Sequence, residues 1–179
     1  VQLLGRQDFR GYRVTWYSLP PPGAIFSLPD TLTPAQATFG DVLRLDGLAY
    51  GGQPPQGATL RRGESAWATL HFTLLQETEV DYRVSLRLRG EGGQQVAQVD
   101  KDLLNDRHFR TSAWPPANPA LNQALNVYTL PVPAETPPGD YRLAVVIYNA
   151  RPPYPSEGVA GHTSDDGVAA ILGTLTVLP

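Results

Sequence analysis

The stretch that decides the fold reads Pro-Pro-Gly-Asp-Tyr-Arg-Leu-Ala-Val-Val-Ile-Tyr and covers residues 137 to 148. Its two prolines and glycine end whatever precedes them, because proline lacks a backbone N–H and glycine favours turns. The residues from 141 onward are rich in β-branched and aromatic types and contain no Glu, Lys or Gln, which is typical of a strand. Apolar or nearly apolar residues occupy both alternating sets of positions, so we expect a central strand covered on both faces.

Two other segments alternate strictly between apolar and polar residues. Residues 65 to 75 place one apolar set on a single face, namely Ala66, Ala68, Leu70, Phe72 and Leu74. Residues 82 to 89 place Tyr82, Val84, Leu86 and Leu88 on one face and Arg83, Ser85, Arg87 and Arg89 on the other. A strand with one wet face indicates an antiparallel sheet rather than a parallel one.

Strand character also appears over residues 11–19, 42–50, 94–100, 123–132 and 168–178, and no amphipathic helix of ten residues or more is found. The sequence therefore predicts an all-β fold, a two-sheet antiparallel β-sandwich of immunoglobulin-like or jelly-roll-like type with about seven to nine strands. The Gly139-x-Tyr141 pair at the start of the penultimate strand is typical of a tyrosine corner, in which the hydroxyl bonds to the preceding loop. The alternative is that Tyr141 is an ordinary inward aromatic residue.

The first 37 residues differ in character from the rest. A predicted strand ends at Pro-Pro-Pro-Gly, residues 20–23, and residues 24–39 hold Pro29 and Pro34 without a sustained period, which favours a linker or strap. We therefore divide the chain into residues 1–37, an N-terminal strand and proline-rich strap docked on the sandwich, and residues 38–179, the sandwich itself. Trp16 and Tyr17 are our candidates to cover the second face of the central strand.

Composition narrows the functional classes. The 179 residues suit a single domain, and a net charge of −3 gives no basic field, so nucleic acid is not an expected partner. The absence of cysteine excludes thiol catalysis, disulfides and Cys-based zinc sites. No apolar run approaches the roughly 18 residues of a membrane span, so we expect no direct membrane insertion of this segment. A chain that starts with Val and has no Met indicates a processed product or an excised domain of a larger protein.

The sequence contains no strong motif for a metal site or for catalysis. His71, His108 and His162 are far apart, and the loop acids do not follow an EF-hand pattern, so neither a metal nor another cofactor is expected. Residues 162–166 hold the residue types of a hydrolase triad, His162, Ser164, Asp165 and Asp166. They are compressed into five positions, however, and no GxSxG elbow is present. We expect that the chain is not an enzyme.

Two long loops, residues 101–120 and 149–167, carry the best candidate site. Trp114 and Tyr154 lie next to prolines, and flat aromatic faces suit sugar rings. The polar residues that would complete a ligand-binding site are His108, Arg110 and Asn118. The alternative is that Trp114 caps the open end of the core. The outward arginines of residues 82–89 are interpreted as a solvated face, or as a surface for an acidic partner or lipid headgroups.

The order of several short signals resembles that in a known family. These signals are Phe39–Gly47, Arg62-Gly63-Glu64, Thr69–Phe72, Asp81–Val84, Val96–Asp100, Trp114-Pro115 and Pro138–Tyr141. Together they resemble the C-terminal extracytoplasmic β-sandwich domain of bacterial multi-pass membrane glycosyltransferase-like proteins that use lipid-linked sugars. Those domains often have an aromatic pair where this chain has His71-Phe72.

The resemblance implies a non-catalytic accessory domain outside the cytoplasm, because the catalytic acids of such proteins belong to their membrane-embedded part. Its partner would be the remainder of a larger membrane protein, and its role would be structural or substrate-positioning. The second hypothesis is a carbohydrate-binding module that uses loop aromatics, and a stand-alone hydrolase is a distant third.

Overall fold

The computed structural model describes residues 2–9, 12–18, 32–52 and 57–179. Two strands near the start, β1 (Gln2–Phe9) and β2 (Tyr12–Ser18), pair with each other in a separate two-stranded antiparallel sheet. The remaining strands form two five-stranded sheets that face each other across one core. The predicted two-sheet β-sandwich is therefore confirmed.

One five-stranded sheet, sheet I, has the order β5-β12-β10-β7-β8. Its strands are β5 (Thr59–Arg61), β7 (Tyr82–Arg89), β8 (Gln95–Asp102), β10 (Gly139–Asn149) and β12 (Ala170–Leu178). The strand that contains the deciding stretch, β10, lies in the middle, between β12 and β7. Pairing is antiparallel except between β5 and β12, which run parallel over three residues of each strand.

The other five-stranded sheet, sheet II, has the order β11-β3-β4-β6-β9. Its strands are β3 (Thr33–Phe39), β4 (Leu43–Gly51), β6 (Ser65–Leu74), β9 (Gln123–Pro131) and β11 (Val159–Ala160). All pairs in this sheet are antiparallel. The described residues contain one short 3₁₀ helix, Thr111–Ala113, inside the loop between β8 and β9.

The core consists of the inward sets of both sheets. Every inward residue predicted for β6 and β7 is buried, which confirms both alternations. At one side of the sandwich Lys101 of β8 donates from Nζ to the carbonyl of Val127 on β9 at 2.9 Å, and its ammonium lies 5.4 Å from the Tyr128 ring centroid. These contacts join the two sheets along the β8–β9 side.

The opposite side of the sandwich has short strands and a covering loop. β11 pairs with only Thr38 and Phe39 of β3, and β5 pairs only with the last residues of β12. Residues 161–164 fill part of the remaining space. Gly161 packs on the backbone carbonyl of Gln36 so closely that a Cβ there would lie 2.7 Å from the oxygen. The carbonyl of His162 accepts the N–H of Ile171 at 2.9 Å.

The predicted strap over residues 24–39 is wrong for its last part, because Thr33–Phe39 is a strand of sheet II. Within it Ala35, Ala37 and Phe39 alternate inward and are buried. Pro34 pairs with Gly47 of β4, and β11 pairs only with Thr38 and Phe39, so proline lies where β3 has one strand neighbour, a position that tolerates it. The strand thus begins before the boundary that we predicted near residue 38, while the docking of residues 1–37 stays a prediction.

The second face of β10 is covered as predicted, but by another part of the chain. Ala144 and Val146 are fully buried on this face and pack with Ala169, against which Val168 and Ile171 also lie. The segment just before and at the start of β12 therefore supplies this cover. The side chains of Trp16 and Tyr17, our sequence-based candidates, lie outside the described residues.

The outward face of β7 is drier than alternation predicts. Ser85 is fully buried, and the three arginines that flank it are only partly exposed. Two loops predicted as irregular also contain short strands, β5 and β11, which brings the sandwich to ten strands among the described residues.

The tyrosine corner is confirmed. Tyr141 is nearly buried, and its hydroxyl donates to the carbonyl of Pro137 at 2.7 Å. We expect Tyr141→Phe to lower the free energy of unfolding by about 1 kcal/mol, since the ring stays in place and one hydrogen bond is lost. Urea denaturation measures this difference, and an unchanged midpoint would show that the bond does not contribute to stability.

For Tyr128, the core tyrosine of β9, we expect that replacement by phenylalanine does not lower the free energy of unfolding. Tyr128 is fully buried, its hydroxyl has no hydrogen-bond partner among the residues that the structure describes, and burial raises its pKa. A buried hydroxyl without a partner costs free energy, so Tyr128→Phe should leave the protein as stable or more stable by up to about 1 kcal/mol. The same denaturation experiment checks this, with Tyr141→Phe as the matched control. A loss of stability equal to that of the control would refute the expectation.

Candidate functional site

The two long loops meet at one end of the sandwich, beside the chain segment that leads into β7. The backbone N–H of Leu103 donates to the carbonyl of Tyr82 at 3.0 Å, and the N–H of Ala150 donates to the carbonyl of Asp81 at 2.7 Å. Loop 103–122 and loop 150–158 are thus hydrogen-bonded to neighbouring residues of one strand entry. We call this part of the molecule, residues 75–81, 103–122 and 150–158, the loop end.

Thr111 joins the first long loop to the strand entry from inside the protein. It is fully buried, its hydroxyl donates to the carbonyl of Val80 at 2.6 Å, and it accepts the backbone N–H of Tyr82 at 2.9 Å. The hydroxyl therefore satisfies the hydrogen bonding of two backbone groups at the entry to β7, as a neighbouring strand would. Its position fixes the short 3₁₀ helix against β7.

The carboxylate of Asp81 joins both long loops. It is buried and accepts a hydrogen bond from the Ser112 hydroxyl at 2.6 Å. Its second oxygen lies 3.5 Å from a guanidinium nitrogen of Arg151 and 3.7 Å from one of Arg110. Both arginines are largely exposed, so their charges stay solvated while the carboxylate supplies the common point.

Trp114 lies in the core at this end and is only 3% exposed. Its indole N–H donates to the carbonyl of Phe109 at 2.8 Å. The structure thus supports the capping alternative for Trp114, since neither ring face is open to stack on a ligand. A cleft of about 390 Å³ lies beside it, lined by Glu77, Thr78, Glu79, Ser112, Ala113, Trp114 and Pro115.

The other predicted ligand-binding residues lie on the surface of the two loops. Tyr154 is 54% exposed and has a left-handed backbone with φ of 59°. His108 is exposed with φ of 60°, and Arg110 contacts Asp102 at 3.3 Å besides Asp81. The side-chain oxygen of Asn118 accepts the N–H of Ala120 at 3.0 Å, so this side chain stabilises the turn in which it lies. Of the predicted residues, Tyr154 offers the exposed aromatic face.

Glu157 is a residue at this end that sequence reasoning missed. It accepts the hydroxyl of Tyr82 at 2.8 Å, and burial together with this hydrogen bond raises the pKa of Tyr82 to about 12. The Glu157 carboxylate also lies over Gly40, where a Cβ would meet its oxygen at 2.2 Å. Gly40 has a φ of 53°, so glycine serves both the turn and the close approach.

The triad-like set at residues 162–166 forms a turn. The Ser164 hydroxyl donates to Asp166, whose carboxylate also accepts the N–H of Val168 at 3.0 Å and pairs with Arg89 at 2.9 Å. Partial burial raises the pKa of Asp166, but the hydrogen bonds from Ser164, Val168, Arg89 and Ala169 outweigh it and hold the pKa below its usual range. Ser164 is thus bonded to a carboxylate that organises the turn.

Metal-ligand groups and membrane-spanning helices are both absent from the part of the chain that the structure describes. No group of three or more His, Cys, Asp or Glu side chains is arranged there to hold a metal ion. No helix there is long and apolar enough to cross a bilayer.

No protein-family model matches the chain, and no curated protein matches it. Among solved structures, the crystal structure of the C-terminal domain of Wzt is similar to this chain, with a TM-score of 0.49 and 11% sequence identity. The alignment covers 82% of this chain and 83% of that chain.

Proposed function

We propose that this chain is a non-catalytic accessory β-sandwich domain of a larger membrane-associated protein, with a structural or substrate-positioning role. The observation that carries the proposal is the fastening of the loop end. Asp81 and Thr111 hold both long loops against β7 through side-chain bonds. A surface fixed in this way can keep another domain, or a substrate that this domain presents, in a constant orientation.

The finer part of the proposal concerns the partner and the compartment. The sequence resemblance favours a glycosyltransferase of the lipid-linked-sugar type as the remainder of the protein, and a position outside the cytoplasm. In this arrangement the acids that perform chemistry belong to the partner region, and the sandwich contributes none.

An antiserum raised against the isolated domain tests this proposal. Cells that express the native gene are fractionated, and the immunoreactive protein is analysed by size before and after protease treatment of spheroplasts. We expect a membrane-bound species much larger than the 19.4 kDa of this chain, from which external protease removes the epitope. A freely soluble species of about the chain's own size, or an epitope protected from protease, would contradict the proposal.

The second candidate function is a carbohydrate-binding module, which the exposed ring of Tyr154 favours. An exposed tyrosine on a loop fastened at both ends presents a rigid apolar face with a polar tip, as sugar recognition requires. Calorimetric titration with a panel of neutral oligosaccharides tests it. Binding that is lost in Tyr154→Ala and kept in Leu125→Ala, another exposed hydrophobic residue, would support this candidate. Absence of binding across the panel would exclude it.

A further inference from the structure

The outer face of sheet I carries three neighbouring arginines at the end of β7. Arg87 and Arg89 lie two residues apart on β7, and Arg142 of β10 lies directly opposite Arg89. All three point outward, because the residues between them, such as Leu88 and Leu143, are fully buried on the inner face. We call these three residues the arginine cluster. Like charges directly opposite each other destabilise a sheet, so this placement needs a reason.

The arginine cluster has more cations than paired carboxylates. Arg89 pairs with Asp166 at 2.9 Å. Arg87 donates from Nε to the neutral hydroxyl of Ser85 at 2.9 Å and has no carboxylate within 4.0 Å among the described residues. Arg142 makes no ion pair and no side-chain hydrogen bond with any residue that the structure describes. One carboxylate therefore serves three guanidinium groups.

Further along the same face, two aspartates have different partners. Arg83, further along β7, lies 3.1 Å from Asp102, close enough for an ion pair although the atoms are not aligned for a hydrogen bond. Asp100 accepts the Tyr148 hydroxyl at 3.1 Å and the Gln98 amide at 2.9 Å, so its hydrogen bonds go to neutral groups. At the arginine cluster, two guanidinium groups therefore have no carboxylate within 4.0 Å among the described residues, while Asp100 favours the charged form of Arg87 from a greater distance.

Partial burial strengthens the repulsion between the arginines of the cluster. The side chain of Arg89 is only 15% exposed. Burial lowers the pKa of Arg87, and repulsion from Arg89 lowers it further, against the opposite effects of Asp100, Asp166 and Tyr148. Charges in such partly desolvated positions interact more strongly than charges in open water. An added anion would thus relieve a repulsion that already exists in the folded protein.

A cleft gives a ligand access to the arginine cluster. It has a volume of about 450 Å³ and lies between the β7–β8 turn and the turn at residues 164–166. Arg89 and Arg142 line it together with Glu91, Ser164, Asp165 and Asp166. A second cleft shares Glu91 and Arg142 and also includes Asp140, whose carboxylate accepts the Thr176 hydroxyl at 2.6 Å. Both clefts are thus open at Arg142.

The acids of the cleft restrict the kind of anion. Glu91 and Asp165 are exposed, and in the described part of the chain no guanidinium nitrogen lies within 4.0 Å of either carboxylate. Carboxylates in these positions repel a dianion more than a monoanion, but they accept hydrogen bonds from hydroxyl groups. A guanidinium binds a carboxylate through two parallel hydrogen bonds. The cleft therefore combines donors for one carboxylate with acceptors for hydroxyls around it.

We propose that the arginine cluster and its cleft bind a hydroxylated carboxylate of the sugar-acid type. Arg142 holds the carboxylate, Arg87 adds positive charge beside it, and Arg89 with Asp166 forms the wall. Glu91 and Asp165 accept hydrogen bonds from the hydroxyls. The site lies on the outer face of sheet I, and the inference does not depend on the accessory role proposed above.

Titration of the ¹⁵N-labelled protein at low salt tests the proposal with three probes. They are glucuronate, glucose as its neutral counterpart, and glucose 6-phosphate as a dianion. We expect glucuronate to shift the amide signals of the β7–β8 turn and of residues 164–166, with an affinity at least about tenfold higher than that of glucose. Glucose 6-phosphate should bind more weakly than glucuronate. Equal affinity for glucose, tighter binding of the phosphate, or no saturable shift with glucuronate would each overturn the proposal.

Two variants locate the site. Arg142→Gln should weaken glucuronate binding about tenfold or more, since it removes the bidentate cation from an exposed position without touching the core. Arg62→Gln removes an exposed arginine elsewhere and should leave the affinity unchanged. Glucuronate binding that is equal in Arg142→Gln and in the parent protein would refute the assignment. Amide spectra of the free variants show whether both remain folded.

Discussion

Replacement of Thr111 by valine is expected to lower the free energy of unfolding by about 2 to 6 kcal/mol, although the two side chains have nearly the same shape. The threonine hydroxyl is the partner of two backbone groups, the N–H of Tyr82 and the carbonyl of Val80. Valine leaves both without a partner in a site where Thr111 is fully buried, and each such group costs about 1 to 3 kcal/mol. Urea denaturation followed by tryptophan fluorescence measures the change.

Thr111→Ser is the matched control for this expectation. Serine keeps the hydroxyl and removes one methyl group, so its cost should be limited to about 1 kcal/mol for the small cavity. If valine and serine destabilise the protein equally, or if valine is the milder change, the two hydrogen bonds are not what holds the loop end. Phe109, which is exposed and lies two residues from Thr111, provides a second readout, since chymotrypsin cleavage after it should accelerate in the valine variant alone.

The second large effect is expected at Gly173, where the two sheets approach through a tyrosine. The ring of Tyr50 from β4 lies against the backbone of β12, and a Cβ at Gly173 would lie 1.9 Å from its hydroxyl oxygen and 2.4 Å from Cζ. Gly173→Ala therefore forces the ring to move or the sheets to separate. Such overpacking costs about 1 to 3 kcal/mol, which denaturation measures directly.

A double-mutant cycle assigns that cost to the tyrosine ring. Tyr50→Leu removes the atoms that the new methyl group would meet, so Gly173→Ala should cost less in the leucine background. The cost that remains there is the backbone strain of alanine at the φ of 158° that Gly173 adopts. An equal cost in both backgrounds would mean that the backbone conformation of β12 itself requires glycine. The single Tyr50→Leu variant supplies the baseline for the comparison.

The strands with one apolar face could be predicted from the sequence, because their alternation reflects a local geometric rule. β6 and β7 follow this rule residue by residue, and Tyr141 follows a turn pattern that places its hydroxyl near Pro137. β10 also behaves as its composition indicates, with both faces covered. In each case the signal lies within a dozen residues of the feature it predicts.

The remaining features depend on contacts that sequence spacing does not encode. Arg151 and Asp81 meet although they are 70 residues apart, and Thr111 reaches the strand entry 29 to 31 residues away. The candidate site in the loops stays a prediction, and the inward direction of Trp114 depends on the packing at the sandwich end. β3 was not predicted, because a proline destabilises a strand only where its missing N–H would have bonded to a neighbouring strand. The sequence does not show whether such a strand lies beside Pro34.

The short strands opposite the β8–β9 side have a consequence for association between molecules. Unpaired ladders invite strand addition from other chains, and this route leads to amyloid-like growth. Here β5 and β11 have three and two residues, Pro34 lacks an N–H to offer, and residues 161–164 lie along both β3 and the start of β12. The described part of this side therefore offers a second chain only interrupted stretches of ladder. On this side, strand addition should therefore require that residues 161–164 first leave the sheet edge.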